Sequence, residues 1–288
     1  MEKDLIMKHV VACIDGSAST QSVCDYASWA ALRLKTPLTL FHVLDEARYP
    51  TETNMTGNIG LGSREALLEQ LAELDQQRSK LALEQGHHML ESAKLRATQS
   101  GVEHINLRQR HGDLAESLLE IEDSMRLLVM GLHGEDTTRT NRVGSQLETV
   151  VRTMHRPILI APEEFTEPKN VMLAFDGSDS SRKGIRMLAE SPIFRGLPLH
   201  LVMVGADTND SRASIEAASN HLRELGHNAR FEIRSGEVEP ALHAYQEEHN
   251  IDLLVMGAYG HSRIRQFLVG STTTSLLQTT NSALLLLR

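Results

Sequence analysis

Short apolar runs alternate with helix-patterned stretches along the chain, most clearly in its second half. The runs there are NVMLAFD (170–176), PLHLVMV (198–204), NARFEIR (228–234), DLLVMGA (252–258) and ALLLLR (283–288). Helical stretches begin near Ser180, Asp210, Glu239 and Ser271. Apolar runs of this length with little polar alternation suit strands buried on both faces, and their alternation with helices predicts a parallel, doubly wound sheet. Such sheets bind ligands beyond the C-terminal ends of their strands, where the strand order reverses. The residues to watch are those ending the first strand (Asp15, Asp176) and the fourth (Gly131, Gly257) of each unit.

The unit occurs twice. VVACIDGSAST (10–20) reappears as VMLAFDGSDSS (171–181), PLTLFHV (37–43) as PLHLVMV (198–204), and LLVMGLHG (127–134) as LLVMGAYG (253–260). RPILIAP (156–162) returns more loosely as SALLLLR (282–288). Asp15 and Asp176 stand 161 residues apart, but Gly131 and Gly257 only 126, so the first copy carries 35 extra residues. The excess falls at about 46–95, a Thr-, Asn- and Gly-rich loop followed by a stretch with Leu67, Leu71, Leu74, Leu81 and Leu90 near a 3.6-residue period. That spacing predicts a long amphipathic helix, whole or broken, covering the sheet. A lid over a ligand pocket is the alternative.

A chain of 288 residues suits two such units. We expect domains at 1–162 and 170–288, joined by a linker at 163–169 whose proline and glutamates mark exposed chain. So short a linker should keep the halves packed together.

Net charge of −9 argues against nucleic-acid binding, which needs a basic face. It leaves room for one phosphorylated small molecule, which needs only a few well-placed N–H donors. No apolar run reaches the roughly 18 residues of a membrane span, and the opening Met1-Glu2-Lys3-Asp4 is not a secretory signal. A cytoplasmic protein without membrane contact is expected. Cys13 and Cys24, the only cysteines, read as free thiols.

The chemistry gathers after the fourth strand. Gly131-Leu-His-Gly134, nine residues and Gly144-Ser145 in the first copy match Gly257-Ala-Tyr-Gly260, nine residues and Gly270-Ser271 in the second. Glycines at a strand end let backbone approach a ligand. The Gly-Ser pair opens a helix whose free N–H groups suit a phosphate. Two copies at one spacing, each paired with an Asp-Gly-Ser after strand one, make a strong signal.

In these residues the chain resembles the universal stress protein family, as a tandem two-domain member, over nearly its whole length outside the extra segment. The resemblance implies two five-stranded Rossmann-like domains packed as an intramolecular pseudo-dimer, joined through strands 156–161 and 283–288. It implies a stress-response regulator that binds ATP or a related adenine nucleotide (ADP or AMP), with Mg accompanying it. In the second copy Ala174, Phe175, Asp176 and Val204 would surround base and ribose. Met256, Gly257, Tyr259 and Gly260 would line the path to the phosphates, held by Gly270, Ser271, Thr272 and Thr273. The first copy offers Cys13, Ile14, Asp15, Val43, Met130 and Gly131, then His133, Gly134, Gly144 and Ser145.

The copies are unequal. Hydroxyls follow Gly270, and Arg263 and Arg265 precede it, whereas Gln146 and Leu147 follow Ser145, and Glu135 and Asp136 follow Gly134. The second copy is therefore the better expected nucleotide site. The 14 histidines fall in no metal-ligand spacing, so no metal site is assigned. Neither a G-x4-G-K-[ST] loop nor a G-x-S-x-G elbow occurs, and no catalytic residue is assigned. The alternatives are a nucleotide-free scaffold acting on an unknown protein partner and a slow ATP-hydrolysing or phosphoryl-transferring enzyme. A monomeric pseudo-dimer and a homodimer both remain open.

Overall fold

The structure, a computed structural model, describes residues 8–45, 63–132, 145–257 and 282–287. The first half contains β1 (His9–Cys13), α1 (Thr20–Leu34), β2 (Leu38–Leu44), α2 (Ser63–Gln99), β3 (Ile105–His111), α3 (Leu114–Leu119), β4 (Met125–Gly131), α4 (Ser145–Thr153) and β5 (Ile158–Ala161). The second contains β6 (Val171–Ala174), α5 (Asp179–Glu190), β7 (Leu199–Val204), α6 (Asn209–Glu224), β8 (Ala229–Arg234), α7 (Val238–His249), β9 (Leu253–Gly257) and β10 (Ala283–Leu287). The apolar runs thus become strands within a residue or so of expectation. The helix expected near Ser271 and, up to its last residue Ser63, the loop expected at 49–63 lie outside the described residues.

The ten described strands form one sheet in the order β3-β2-β1-β4-β5-β10-β9-β6-β7-β8. Each half is a parallel five-stranded sheet whose order reverses between its first and fourth strands. The halves meet by antiparallel pairing of β5 with β10, Leu285 opposite Leu159 and Leu286 opposite Ile158. Both strands are buried along their whole length, which explains their unbroken apolar sequences. Helices α1, α2, α5 and α6 pack on one face of the sheet. Helices α3, α4 and α7 cover the other.

The linker is fixed in place. The Phe165 ring stands edge-on to Tyr26 at 4.7 Å, and the Tyr26 hydroxyl donates to the Thr166 carbonyl at 3.1 Å. Asp252 accepts the backbone N–H groups of Lys169 and Asn170, each at 2.9 Å. Farther along, Arg33 of α1 donates from Nε to the Ile193 carbonyl at 2.7 Å and from Nη2 to that of Arg195. Two half-cores thereby become one body.

Helix α2 departs from expectation. It is one unbroken helix of 37 residues, about 55 Å at 1.5 Å per residue, against seven-residue strands β2 and β3 of about 23 Å. Only its later part has sheet to cover. Leu90, Ala93 and Ala97 are buried, whereas Leu71, Leu74 and Leu81 are 48%, 56% and 65% exposed. The leucine period is real, but most of the stripe runs past the core.

Where α2 does pack, it comes close. A Cβ placed on Gly86 would stand 2.4 Å from Gln109 Nε2 and 2.6 Å from the His42 ring. The ring cannot readily give way, because His42 Nδ1 is 2.6 Å from the Ile14 carbonyl. Gly86→Ala should therefore destabilise the protein by about 1–3 kcal/mol despite alanine's better helix propensity. Urea unfolding checks this; a gain in stability would mean that α2 sits farther from β2 and β3.

Candidate functional site

The Asp-Gly-Ser segment builds the same turn twice. Gly16 and Gly177 take φ of +79° and +73°, the left-handed region that disfavours other residues. The chain then folds back so that the serine two residues on donates to the aspartate. In the first half, Asp15 Oδ1 accepts from the Ser17 amide (3.0 Å), the Ser17 hydroxyl (2.7 Å) and the Thr20 hydroxyl (3.1 Å). In the second, Asp176 Oδ1 accepts from the amide and hydroxyl of Ser178 at 3.0 and 2.6 Å. Ser178 also caps α5, accepting from the Ser181 amide.

Burial raises the Asp176 pKa, but the hydrogen bonds from Ser178 and Ser181 outweigh it and leave the carboxyl below its ordinary value. Asp176 is thus an oriented carboxylate beyond the end of β6, able to accept hydrogen bonds from hydroxyl or amino groups of a ligand. Ser17 and Ser178 belong to the Asp-Gly-Ser segments but are not among the expected site residues. Their signal was available, since a serine two residues after an aspartate with glycine between them is an Asx-turn pattern.

The strand ends beside these turns present matching side chains. Ala174 is in register with both Met256 and Val202, which puts Val204, two residues on, on the same side of the sheet. Ala174, Val204 and Met256 all belong to the layer covered by α3, α4 and α7. Cys13, Val43 and Met130 occupy the same layer in the first half. Gly131 and Gly257 close β4 and β9.

Ile14 and Phe175 turn the other way, into the α1–α2 and α5–α6 layer, at 1% and 3% exposure. They can offer this site backbone only. Ser145 begins α4. His133, Gly134, Gly144, Tyr259, Gly260, Gly270, Ser271, Thr272 and Thr273 lie outside the described residues. The geometry therefore describes the base-and-ribose end of the expected site.

Two other groups of reactive side chains are inert. Burial, and then the Asp15 charge, pushes the Cys13 thiol up, and burial first of all raises Cys24 to about 11. Neither is a thiolate nucleophile. On β7, β8 and α7, Arg230 Nη2 lies 3.1 Å from His200 Nδ1 and 3.2 Å from His249 Nδ1. A guanidinium only donates, so it occupies the imidazole lone pairs that a metal would need. Among the described residues no group of three or more His, Cys, Asp or Glu could hold a metal ion.

This His200 cluster gives stability a pH dependence. Burial first, then the charges of Arg230 and His249, lowers its pKa from 6.5 to about 4. The native state refuses a proton that the unfolded chain accepts below about pH 6.5, so stability falls as pH drops from there toward 4. Between pH 7 and 5 the loss should be about 2 kcal/mol. His200→Gln should lower stability at pH 7 but flatten the slope. Denaturant melts across that range decide it, and an unchanged slope would remove His200 as its source.

Fold and site together define a duplicated, doubly wound α/β domain with a switch-point crest in each half. The Universal stress protein family pattern matches residues 7–162 and again 167–288. The chain belongs to the universal stress protein family, as a tandem two-domain member. Universal stress protein Slr1230 of Synechocystis sp. is 34% identical over 287 residues, covering 98% of this chain and 100% of that protein. A universal stress protein from Archaeoglobus fulgidus superposes with a TM-score of 0.71 at 16% identity, covering 97% of this chain and 96% of that one. A putative universal stress protein from Pseudomonas aeruginosa gives 0.59 at 14% identity, covering 98% and 93%. At such identities these two superpositions establish the fold. No described helix is long and apolar enough to cross a membrane.

Proposed function

We propose that this protein is a regulatory module of the stress response that binds ATP or a related adenine nucleotide, best in its second half. The observation that carries this reading is the repeated turn: an oriented carboxylate beside small or flexible apolar side chains, at the crest where the strand order reverses. Asp176 suits the ribose hydroxyls, and Ala174, Val204 and Met256 suit the face of a base. Polyphosphate would fall to the Gly270–Thr273 segment, whose sequence supplies a helix-opening Gly-Ser and successive hydroxyls. Magnesium fits as a companion of those phosphates rather than as a ligand of Asp176 Oδ1, which its serine already engages. Preference for the second half rests on that richer hydroxyl set and on the acidic Glu135 and Asp136 in the first.

Bound nucleotide would act by stiffening the crest of one half, with the continuous sheet passing the change to a partner surface. Acid extraction of purified protein should release an adenine nucleotide, retained in Gly131→Val and lost in Gly257→Val. Added ATP at about 100 times its Kd should stabilise the native chain by about 2.7 kcal/mol. Asp176→Asn should remove most of that gain without changing the ligand-free melt much. Absence of both extracted nucleotide and the ATP-dependent gain would leave the scaffold reading. Phosphate release by wild-type protein, abolished in a variant that still binds, would point to an enzyme.

A further inference from the structure

The two halves differ between the first two helices of each repeat, on the face away from the crest's apolar side chains. In the first half α1 and α2 are clamped by an ion pair, with Arg96 Nε donating to Asp25 Oδ1 at 2.6 Å and Nη2 to Oδ2 at 2.7 Å. Met89 fills the space under the turn, its sulfur 2.6 Å from where a Cβ on Gly16 would lie.

The second half aligns residue by residue. Gly177 answers Gly16, Gly226 answers Gly101 with the same positive φ, and buried Ile215 and Leu222 answer Leu90 and Ala97. In that alignment Ser214 replaces Met89, and it is the Ser214 hydroxyl that lies under Gly177, at 3.5 Å. Arg186 replaces Asp25 and His221 replaces Arg96. An oppositely charged pair has become two nitrogen bases facing one gap, and a large plug has become a small hydroxyl.

A cavity of about 490 Å³ opens there, lined by Arg182, Arg186, Ser214 and His221 above Phe175, Ile185, Ala217 and Ala218. Among the described residues no acidic side chain lines it. Arg182 is steered to the mouth by donating from Nε and Nη2 to the Gly177 carbonyl, at 3.1 and 2.8 Å. Two of its five N–H groups are so used. Neither arginine has an ion-pair partner among the described residues. Arg182, Arg186 and His221 are exposed to solvent, and cations grouped beside an apolar floor suit an anionic ligand.

We propose that the groove between α5 and α6 binds a small organic anion. Its carboxylate, sulfonate or phosphate head would sit between Arg186, Arg182 and His221, and its apolar body on Phe175 and Ile185. Phe175 directly follows β6 with its side chain on this face, whereas Ala174 faces the crest, so the two sites sit back to back. An occupant here would set the spacing of α5 and α6, and with it the turn that carries Asp176. The proposal does not depend on a nucleotide at the crest.

The test uses 8-anilinonaphthalene-1-sulfonate, an aromatic sulfonate, titrated into the full chain by fluorescence. Two variants transplant the first half's own solution: Ser214→Met restores the plug, and Arg186→Asp with His221→Arg restores the clamp. Both should melt within a few degrees of wild type, which confirms that they fold. Wild type should show saturable one-site binding that weakens with added NaCl. Each variant should weaken it by roughly tenfold or more, and Gly257→Val should leave it intact. Equal affinity in wild type and both folded variants, or loss of binding in Gly257→Val, would overturn the proposal.

Discussion

The antiparallel pairing of β5 with β10 is the constraint on which the rest depends. Two five-stranded sheets would each end in an apolar strand with an unsatisfied row of N–H and C=O groups. Joining these rows satisfies both and hides seven large aliphatic side chains from water. It also fixes the two crests relative to one another, because strand pairing allows little slip once both faces are buried. The edges left over, β3 and β8, carry Arg108 and Arg110, and Arg230, Glu232 and Arg234. Charge of this kind discourages further strand addition. The molecule closes its apolar edges on itself and leaves its charged ones outside.

Much of this could be read from the chain. Parallel strands buried on both faces leave unbroken apolar runs, so LLVMG, PLHLVMV and ALLLL announced themselves. The tandem repeat turned a weak glycine pattern into a firm family resemblance. Asp15 and Asp176 stood out for the same reason, and their turns are nearly superimposable in hydrogen bonding. Other features could not be read so. The leucine stripe of α2 signalled a helix with an apolar face, but sequence period says nothing about how much sheet lies beneath it. Phe175 and Ile14 fell next to the aspartates in sequence, yet the two-residue strand period turns them to the opposite layer. The α5–α6 groove was hidden because Asp25 and Arg186, and Arg96 and His221, correspond only once the helices are aligned in space.

Duplication followed by divergence gives the two halves different characters. The first half closes its helix pair with an ion pair and a methionine, and it buries the Cys24 thiol. The second leaves the same gap open and lines it with cations. Its β7, β8 and α7 together bear a cluster of histidine, tyrosine and arginine. One fold thus carries one copy whose first helix pair is closed and one whose helix pair is open, with the same aspartate turn at the crest of each. The fixed linker, with Phe165 on Tyr26 and Lys169 on Asp252, keeps these unlike copies in one rigid frame.

The β5–β10 pairing also shapes how the chain must be made. β10 leaves the ribosome some 120 residues after β5, roughly 6–24 s later at usual elongation speeds. During that interval the first half is complete in every strand but keeps an apolar edge bare. The nascent chain therefore passes through a window in which its stickiest surface has no partner. Its central seam is the last part of the sheet to close and the part most exposed to misassembly with a neighbouring chain.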